Sequence, residues 1–508
     1  TVTCTLVFAT FVTCVSSSFM MGYNLGIVNL PAKVSWNFLS FKFDSLLNLK
    51  HIEQFMVEKM SVLDKETLYA LVSVVFIVGA AIGAFSCGFL ADKLGRRRNS
   101  LHMNTVIGLL GAILSGICVN IKNAVVLLVG RFISGLNAGV TIGVASMYLM
   151  EIAPTSTRGM IGACHQLAVT IGICLSYVVT LDFLLNTDDR WGYAILIGAI
   201  PCVTGLVLLP LCPESARYLF LIKKKEERAK EAYMKVSGAE NANDFVKDMN
   251  DEAAATKSQP EFKISYLFTK REYRKATAIA ILIQVLQQLC GINAVVIANS
   301  STMLVTAKVK EDQMQYFVVG LGILNVVFTI IALPLLERAG RRTLLLWPTL
   351  LLGCCLLTQS IIVTIGRSKP EEEQAPFAIV AVSMVYIYLA CFAVGLGPIP
   401  AMIVAEIFRQ GPRTAAYSVS QGVQWLCNLM LQKAMAGFVY LPFLVVVVIC
   451  WCFFFFVMPE TKNKSFDEIA KILSGEPRSN ANAGNSNVNA NLNLTPKGIT
   501  QAEEGNTL

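Results

Sequence analysis

Three charged motifs occur twice in this chain, in the same order and at nearly the same interval. The first copies are Gly95-Arg96-Arg97, Glu151 with Arg158, and Pro213-Glu214; the second are Gly340-Arg341-Arg342, Glu406 with Arg413, and Pro459-Glu460. The offsets between the copies are 245, 255 and 246 residues. One such match could arise by chance, but three in the same order indicate a duplicated unit of about 250 residues.

The composition is that of a membrane protein. Only 15% of the residues are charged and 55% are hydrophobic, whereas a soluble domain has roughly 25% charged residues. Apolar stretches of about 20 residues, the length that crosses a bilayer as a helix, recur along the chain. We number the twelve predicted spans in order: residues 5–30, 67–91, 101–120, 124–149, 159–184, 192–212, 274–303, 315–336, 343–365, 376–404, 413–435 and 437–458.

The duplication and the spans together predict an all-α polytopic membrane protein, with twelve transmembrane helices in two pseudo-symmetric six-helix bundles. The bundles are expected at 1–212 and 274–458. Between them, 213–273 is predicted to be a cytoplasmic linker with short amphipathic helices. Residues 459–508 form a predicted cytoplasmic tail, largely disordered after about 475. Parallel repeats of this kind occur in transporters that hold a solute between the two halves.

The basic residues mark one side of the membrane. Most of the 42 Lys and Arg fall in loops that alternate with loops poor in basic residues, and positively charged loops stay cytoplasmic. Both termini are therefore predicted to be cytoplasmic, and the loop 31–66 extracellular. The net charge of +8 is explained by this topology and by contact with the lipid bilayer, without a nucleic-acid partner. The 15 cysteines lie in or beside apolar spans and are interpreted as small buried side chains.

The duplicated charges predict a network of ion pairs at the cytoplasmic ends of the spans. Arg96 and Arg97 are expected to pair with Glu151, and their repeats with Glu406, because arginine forms bidentate pairs with carboxylates. Such a network would hold the ends together and break when the halves rock apart. The alternative is ordinary surface charge that sets topology. The candidate residues are Arg96, Arg97, Glu151, Arg158, Glu214, Arg217, Glu337, Arg341, Arg342, Glu406 and Arg413.

Uncharged amides within the spans are the second set of candidates. Asn and Gln are costly in a membrane helix unless they are partnered or line water, and a sugar offers hydroxyls that both donate and accept hydrogen bonds. Hydrogen bonding between helices is the alternative for any one of them. The amides are Gln166 in span 5, Gln287, Gln288 and Asn293 in span 7, Asn325 in span 8 and Asn428 in span 11.

Several motifs make the chain resemble the sugar porter family of the major facilitator superfamily, in particular the animal facilitative hexose transporters. The resemblance covers about residues 10–470 and rests on Gly22-Tyr23-Asn24, Gly130-Arg131, His165-Gln166-Leu167, Pro213-Glu214-Ser215-Ala216-Arg217, Gln287-Gln288-Leu289-Cys290-Gly291-Ile292-Asn293-Ala294, Gly395-Leu396-Gly397-Pro398-Ile399-Pro400 and Pro459-Glu460-Thr461-Lys462.

This resemblance implies a major facilitator fold in a multi-pass protein of the plasma membrane. It also implies that the amides contact a hexose, together with Ile173, Phe392, Gly397 and Trp425. The Gly-Pro cluster in span 10 would form a broken helix that moves during alternating access, because proline removes a backbone donor.

Some positions depart from the pattern of the glucose carriers. Val295-Val296-Ile297-Ala298 replaces an aromatic run, Ala393 replaces a carboxylate and Ala401 replaces a tryptophan. An alanine at the last position is seen among fructose-type carriers. These changes leave the preferred hexose open.

The expected function is facilitative uniport of a hexose, with D-glucose as the first candidate. The alternatives are a fructose or broader hexose carrier and a sugar-binding nutrient sensor with little transport. Asn24 stands where proton-driven relatives carry an acid, and a proton needs a titratable group. The sequence has no G-x-x-x-x-G-K-[ST] motif for nucleotide hydrolysis and no catalytic or metal-binding spacing. We therefore expect neither an enzyme nor a cofactor or metal, and no obligate protein partner is indicated.

Overall fold

The computed structural model describes residues 3–28, 65–121, 123–154, 157–181, 183–185, 190–257, 262–292, 309, 311–370, 373–434, 440–462, 464, 468–469 and 472–473. Every regular element in these ranges is a helix. The tail beyond residue 475, Asn293 and all but the end of the loop 31–66 lie outside the described residues. The predicted all-α architecture is confirmed.

The first six spans are helical where the hydropathy predicted them. Their helices are Cys4–Thr13, Cys14–Phe19 (π-helical) and Met20–Val28 in span 1, Lys65–Leu94 in span 2, Arg96–Leu101 (π-helical) and His102–Ile121 in span 3, Ala124–Ile152 in span 4, Arg158–Val179 in span 5, and Trp191–Leu196, Ala199–Leu208 and Leu209–Leu211 (3-10) in span 6.

The last six spans are also helical, and span 10 is in two pieces. Their helices are Arg271–Leu289 in span 7, Glu311–Ala339 in span 8, Arg341–Arg367 in span 9, Gln374–Val394 and Ile399–Ile407 in span 10, Gln410–Ala434 in span 11 and Leu441–Val457 in span 12. The break in span 10 lies at the predicted Gly-Pro cluster. Span 7 ends its regular helix just before Gly291, whose φ of +89° requires glycine.

The outside of the bundle is apolar. Phe89, Trp347 and Phe456 are exposed by 65%, 68% and 83%, and large apolar patches of this kind face lipid or a partner. Within the described ranges, nine helical segments are long and apolar enough to cross a bilayer. Spans 7 and 11 are not among these nine because their helices carry charged or polar side chains. Span 12 is not among them because its helix has only 17 residues.

Two pairs of helices join the halves. Span 2 packs along span 11, and span 5 packs along span 8. Span 2 approaches closely because Gly88 has no side chain: a Cβ built there would lie 2.4 Å from the Thr414 carbonyl oxygen. Ser418 Oγ accepts a hydrogen bond of 2.9 Å from the Gly88 backbone N–H. These contacts bring both halves together at the end that carries the charged motifs, hereafter the charged end.

The segment between spans 6 and 7 forms short helices at the charged end. They are Ala216–Leu221, Glu226–Ser237, Asn243–Lys257 and Tyr266–Thr269. Apolar side chains from one face of each longer helix pack together, with Phe245 stacked on Tyr233 at 4.5 Å between ring centroids. The opposite faces carry exposed pairs such as Lys235–Glu231. This is the amphipathic pattern that the sequence predicts.

Candidate functional site

Glu151, at the end of span 4, is the centre of the charged network in the first half. Arg96 Nε lies 3.2 Å from one Glu151 carboxylate oxygen, and Ser215 Oγ donates to that same oxygen at 2.5 Å. Arg96 Nη2 donates to the other oxygen at 3.3 Å. Arg96 also donates to the Ala91 carbonyl at 2.9 Å and to Asp92 at 3.2 Å. The Arg96 and Glu151 side chains are fully buried. A buried pair needs such additional hydrogen bonds, because both ions have lost their hydration.

The second half repeats this arrangement around Glu406. Arg341 donates to Glu406 at 3.1 Å, Thr461 Oγ1 donates to its other oxygen at 2.5 Å, and Arg341 also donates to the Leu336 carbonyl at 3.1 Å. Each contact matches one in the first half at an offset of 245 to 255 residues. The duplication in the sequence is therefore also a duplication of geometry.

Arg97 and Arg342 do not join these pairs, so that part of the prediction is wrong. The guanidinium of Arg97 donates to the Pro210 carbonyl at 2.6 Å, and that of Arg342 to the Phe455 carbonyl at 2.7 Å. Consecutive residues on a helix point about 100° apart, so only the first arginine of each motif can face the buried glutamate. The second one reaches the helix end of span 6 or span 12.

Glu214 and Glu460 accept hydrogen bonds from backbone N–H groups. Glu214 accepts from the Arg97 N–H at 2.9 Å, and Glu460 accepts from the Arg341 and Arg342 N–H groups at 3.0 and 3.1 Å. The N–H groups of a first helical turn have no partner within the helix, and a carboxylate there is favourable. Each glutamate therefore fixes the start of the helix that carries the arginine.

Three contacts cross between the halves at the charged end. Glu337 accepts from the Met160 backbone N–H at 2.9 Å, which caps span 5. Asp92 accepts from Thr414 Oγ1 at 2.6 Å in the first turn of span 11. The Arg413 guanidinium lies 3.7 Å from Glu151. Each half thus supplies a carboxylate to a helix start of the other half, and separation of the halves must break all three contacts.

The linker also contacts this cluster. Arg217 forms an ion pair of 2.8 Å with Glu252 of helix Asn243–Lys257. The Tyr218 ring lies under the Arg96 guanidinium at 4.7 Å, and burial raises the pKa of its phenol, so the phenol remains a neutral donor to the Asp92 carbonyl. Arg158 is buried at the start of span 5 among the same charges.

At the centre of the protein, two of the predicted amides, Gln166 and Gln287, lie beside the break in span 10. Gln287 Nε2 donates to the Leu396 carbonyl at 2.9 Å and lies 3.4 Å from the Gly397 carbonyl. A Cβ built at Gly397 would be 3.5 Å from Gln166 Nε2. The Gly397 N–H donates to the Phe392 carbonyl at 2.8 Å. The structure therefore brings four predicted site residues from spans 5, 7 and 10 together.

Trp425 and Ile173 belong to an apolar cluster formed by spans 1, 2, 4, 5 and 11. The Trp425 ring meets Phe76 of span 2 edge to face, with 6.0 Å between centroids, and Ile173 packs against the same cluster. Phe76 in turn lies 4.3 Å from the Arg131 guanidinium. Trp425 is 3% exposed, and its indole N–H has no hydrogen-bond partner among the described residues.

The remaining residues predicted to contact a hexose are not grouped at the break in span 10. Gln288 and Asn428 are buried, at 8% and 7% exposure, on spans 7 and 11. Asn325 is partly buried on span 8, and its side-chain oxygen has no partner in the part of the chain that the structure describes. Asn293 lies outside the described residues, so its predicted role stays a prediction.

The predicted set left out seven buried amides that each have at least one side-chain polar atom without a partner among the described residues. They are Asn24, Asn104, Asn137, Gln284, Gln359, Gln421 and Gln424. Gln284 Nε2 lies 3.4 Å from the Pro400 carbonyl oxygen. The cost of an amide in a membrane helix applies to all seven, so the sequence could have indicated them.

A large cavity lies away from the break in span 10. It has a volume of about 640 Å³ and opens between spans 1, 5 and 6, with Phe11, Cys164 and Ile171 in its lining. Its walls are almost entirely apolar. A sugar needs hydrogen-bond partners, so this groove does not suit one. All fifteen cysteines, including the two in this groove, are free thiols.

The central arrangement is suited to a neutral, polar solute. It offers amide donors and acceptors beside aromatic rings, and no group of acidic, histidine or cysteine side chains in the described residues has metal-binding geometry. The buried ion pairs lie at one end, where they join the halves.

Comparison with known proteins agrees with this geometry. The family model "Sugar (and other) transporter" matches residues 9–473. The chain is 34% identical to facilitated glucose transporter member 3 of Ovis aries, over 94% of both proteins. It is 34% identical to member 1 of Gallus gallus, over 90% of this chain and 91% of the relative.

The solved structure of the proton:xylose symporter XylE bound to 6-bromo-6-deoxy-D-glucose superposes with a TM-score of 0.74 at 21% identity, over 92% of this chain and 99% of that one. It shows that the fold is that of the major facilitator superfamily. The family match covers nearly the whole chain, and the duplicated network and the break in span 10 agree with it. This chain belongs to the sugar transporter family.

Proposed function

We propose that this protein carries a hexose, with D-glucose as the first candidate, across the plasma membrane down the gradient of the sugar. The observation that carries the proposal is the set of uncharged amides at the break in span 10. Gln166 and Gln287 come from different halves and lie beside the same Gly397 backbone. The similarity to facilitated glucose transporters over 94% of the chain supports the choice of solute.

The ion pairs give a mechanism for alternating access. We take 1–212 and 274–458 as the two moving bundles and the charged end as cytoplasmic, with both termini on that side. In the described conformation, Glu337, Asp92 and Arg413 connect the bundles, so the route to the charged end is closed. Opening must break these contacts and hydrate the charges. The break in span 10 allows one part of that helix to move without the other.

A passive mechanism is supported by the position of the carboxylates in the described residues. At the centre, position 393 is an alanine, and the Asn24 backbone carbonyl accepts from Arg131 at 3.4 Å. Among the described spans, the buried carboxylates Glu151 and Glu406 are paired with arginines at the charged end. The described part of the chain thus has no carboxylate at the break in span 10 from which a proton could drive uptake.

The choice between hexoses depends on span 10. Ala401 lies between the break and Glu406, and its carbonyl accepts a 2.6 Å hydrogen bond from Tyr417. The small side chains Ala393 and Ala401 leave space that larger side chains would fill. D-fructose, or several hexoses, is therefore the alternative substrate.

Purified protein in proteoliposomes tests the proposal directly. We expect counterflow of labelled D-glucose, competition by other hexoses, and equal rates at pH 6 and pH 7.5. Stimulation by an imposed proton gradient would contradict a passive mechanism. Binding without exchange would instead favour a sugar sensor.

The site is tested by Gln287→Ala and Asn293→Ala, which should each raise the half-saturating hexose concentration about tenfold, since each removes a hydrogen bond to a polar solute. Thr358→Ala is a matched control on the exposed side of span 9, where the hydroxyl bonds only within its own helix. Unchanged flux in both site variants would overturn the assignment of these amides.

A further inference from the structure

One face of span 11 follows the interface between the halves. Thr414, Ser418, Gln421, Trp425 and Asn428 recur at intervals of four, three, four and three residues. This spacing places all five side chains on one stripe of a helix.

The stripe lies antiparallel to span 2. Thr414 Oγ1 meets Asp92 and Ser418 Oγ meets Gly88. Farther along, the ring of Trp425 meets Phe76. Gln421 lies between Ser418 and Trp425, so it faces the part of span 2 between Gly88 and Phe76.

Within that part of span 2, residues 80–84 read Ala-Ala-Ile-Gly-Ala and have no polar side-chain atom. Ser86, nearer to Gly88, donates its hydroxyl to the Gly83 carbonyl of its own helix at 2.9 Å. Gln421 is fully buried, and neither its oxygen nor its nitrogen has a hydrogen-bond partner among the described residues. A buried polar group without a partner is unfavourable and calls for an explanation. The other polar members of the stripe nearer the charged end are both bonded.

The duplication gives a reason for this side chain. Glu151 and Arg158 match Glu406 and Arg413 at an offset of 255 residues, and the same offset relates Gln166 to Gln421. Both amides are eight residues beyond the arginine at the start of their helix. At 1.5 Å per residue, both lie about 12 Å from the charged end.

We propose that Gln421 is a second hydroxyl-binding residue, the counterpart of Gln166 in the other half, which contacts the sugar after the charged end opens. This inference rests on the proposed function. In the closed conformation, span 2 covers Gln421, whereas Gln166 stays partly exposed. Separation of spans 2 and 11 uncovers the amide on the side from which the sugar leaves, and a sugar hydroxyl then supplies the missing partner.

The experiment compares sugars on exit. Zero-trans exit is measured for D-glucose and each monodeoxy-D-glucose in cells that express wild type, Gln421→Leu or the near-isosteric Gln421→Met. Loss of one hydrogen bond should raise the half-saturating D-glucose concentration roughly three- to tenfold. The sugar that lacks the contacted hydroxyl should be equally poor for wild type and variants. When entry of the same sugars is measured instead of exit, the Gln421 variants should not depend in this way on which hydroxyl the sugar lacks.

Three results would overturn the proposal. If the variants change the half-saturating concentration of every sugar by the same factor, Gln421 only biases the conformational equilibrium. If wild type transports hexoses and the variants change no half-saturating concentration, Gln421 does not contact the sugar. The proposed function would still stand. If wild type moves no hexose at all, both proposals fail. Gln359→Leu, which removes another fully buried amide in span 9, is the matched control and should leave the pattern of sugars unchanged.

Discussion

At the charged end, the two halves of the molecule repeat one arrangement, in which an arginine and a hydroxyl hold a buried glutamate. At the centre they differ. Span 4 is one continuous helix, Ala124–Ile152, whereas its counterpart, span 10, stops at Val394 and resumes at Ile399. An offset of 255 residues would place that break inside the unbroken helix of span 4.

The difference indicates that the two regions are under different physical requirements. Closing the charged end needs matching charges in both halves, since each half supplies a carboxylate to a helix start of the other. Movement of a solute through the centre requires a helix that can bend on only one side of it. The second half provides that helix in span 10, whereas the matching span 4 of the first half is continuous.

The largest effect is expected from breaking the buried ion pairs. Arg96→Met and Arg341→Met each leave a buried carboxylate without its main partner, which costs about 3–5 kcal/mol. We expect both variants to lose thermal stability and at least tenfold in hexose flux, by similar amounts. The double variant Arg96→Met/Glu151→Met should recover part of the stability but not the flux, because neither member of this ion pair is left buried without the other, whereas Arg413 still loses Glu151. A loss in only one of the two halves would contradict their equivalence.

A smaller effect is expected from the contact between spans 2 and 11. In Gly88→Leu the new side chain meets the Thr414 carbonyl, because a Cβ there would be only 2.4 Å away. Overpacking of this kind costs about 1–3 kcal/mol and should favour the open charged end. The buried Cys87 thiol, 3.8 Å from Ser418, should then be alkylated several times faster in a mass-spectrometric assay.

The control for that variant is Gly353→Ala in span 9, where the nearest atom to a new Cβ is 3.4 Å away. It should leave alkylation of Cys87 unchanged. If Gly88→Leu also leaves it unchanged, the two helices do not separate during transport.

The asymmetry at the centre predicts a still smaller effect for Pro398→Ala. Alanine restores a backbone donor and favours a continuous helix, so the maximal rate should fall severalfold while the half-saturating hexose concentration changes less than twofold. Pro334→Ala, inside the continuous helix of span 8, is the control and should have less effect on rate. Equal effects of the two variants would mean that the break does not limit movement.

The smallest effect is expected outside both regions. Lys235→Ala removes an exposed ion pair with Glu231 on the linker, and exposed pairs contribute little because water and salt screen them. Neither flux nor melting temperature should change measurably. A clear loss would show that the linker charges matter for more than solubility.

Hydropathy and duplication predicted much of this molecule. Long apolar stretches have few options in a bilayer other than helices, so the twelve spans follow from composition. The matching offsets also predicted that Arg96 would meet Glu151 and that Arg341 would meet Glu406. The same reasoning was wrong for Arg97 and Arg342, because the direction of a side chain depends on its phase around the helix.

By itself, then, the sequence determined which segments are helices, where span 10 breaks and which charges are duplicated, since these depend on local composition and spacing. Only the tertiary structure decided that Asp92 and Glu337 bond to helix starts in the opposite half, and that Gln421 is fully buried with no partner for its amide among the described residues. Those contacts join residues up to 322 positions apart. Their partners are fixed by how two helices pack, which no local pattern specifies.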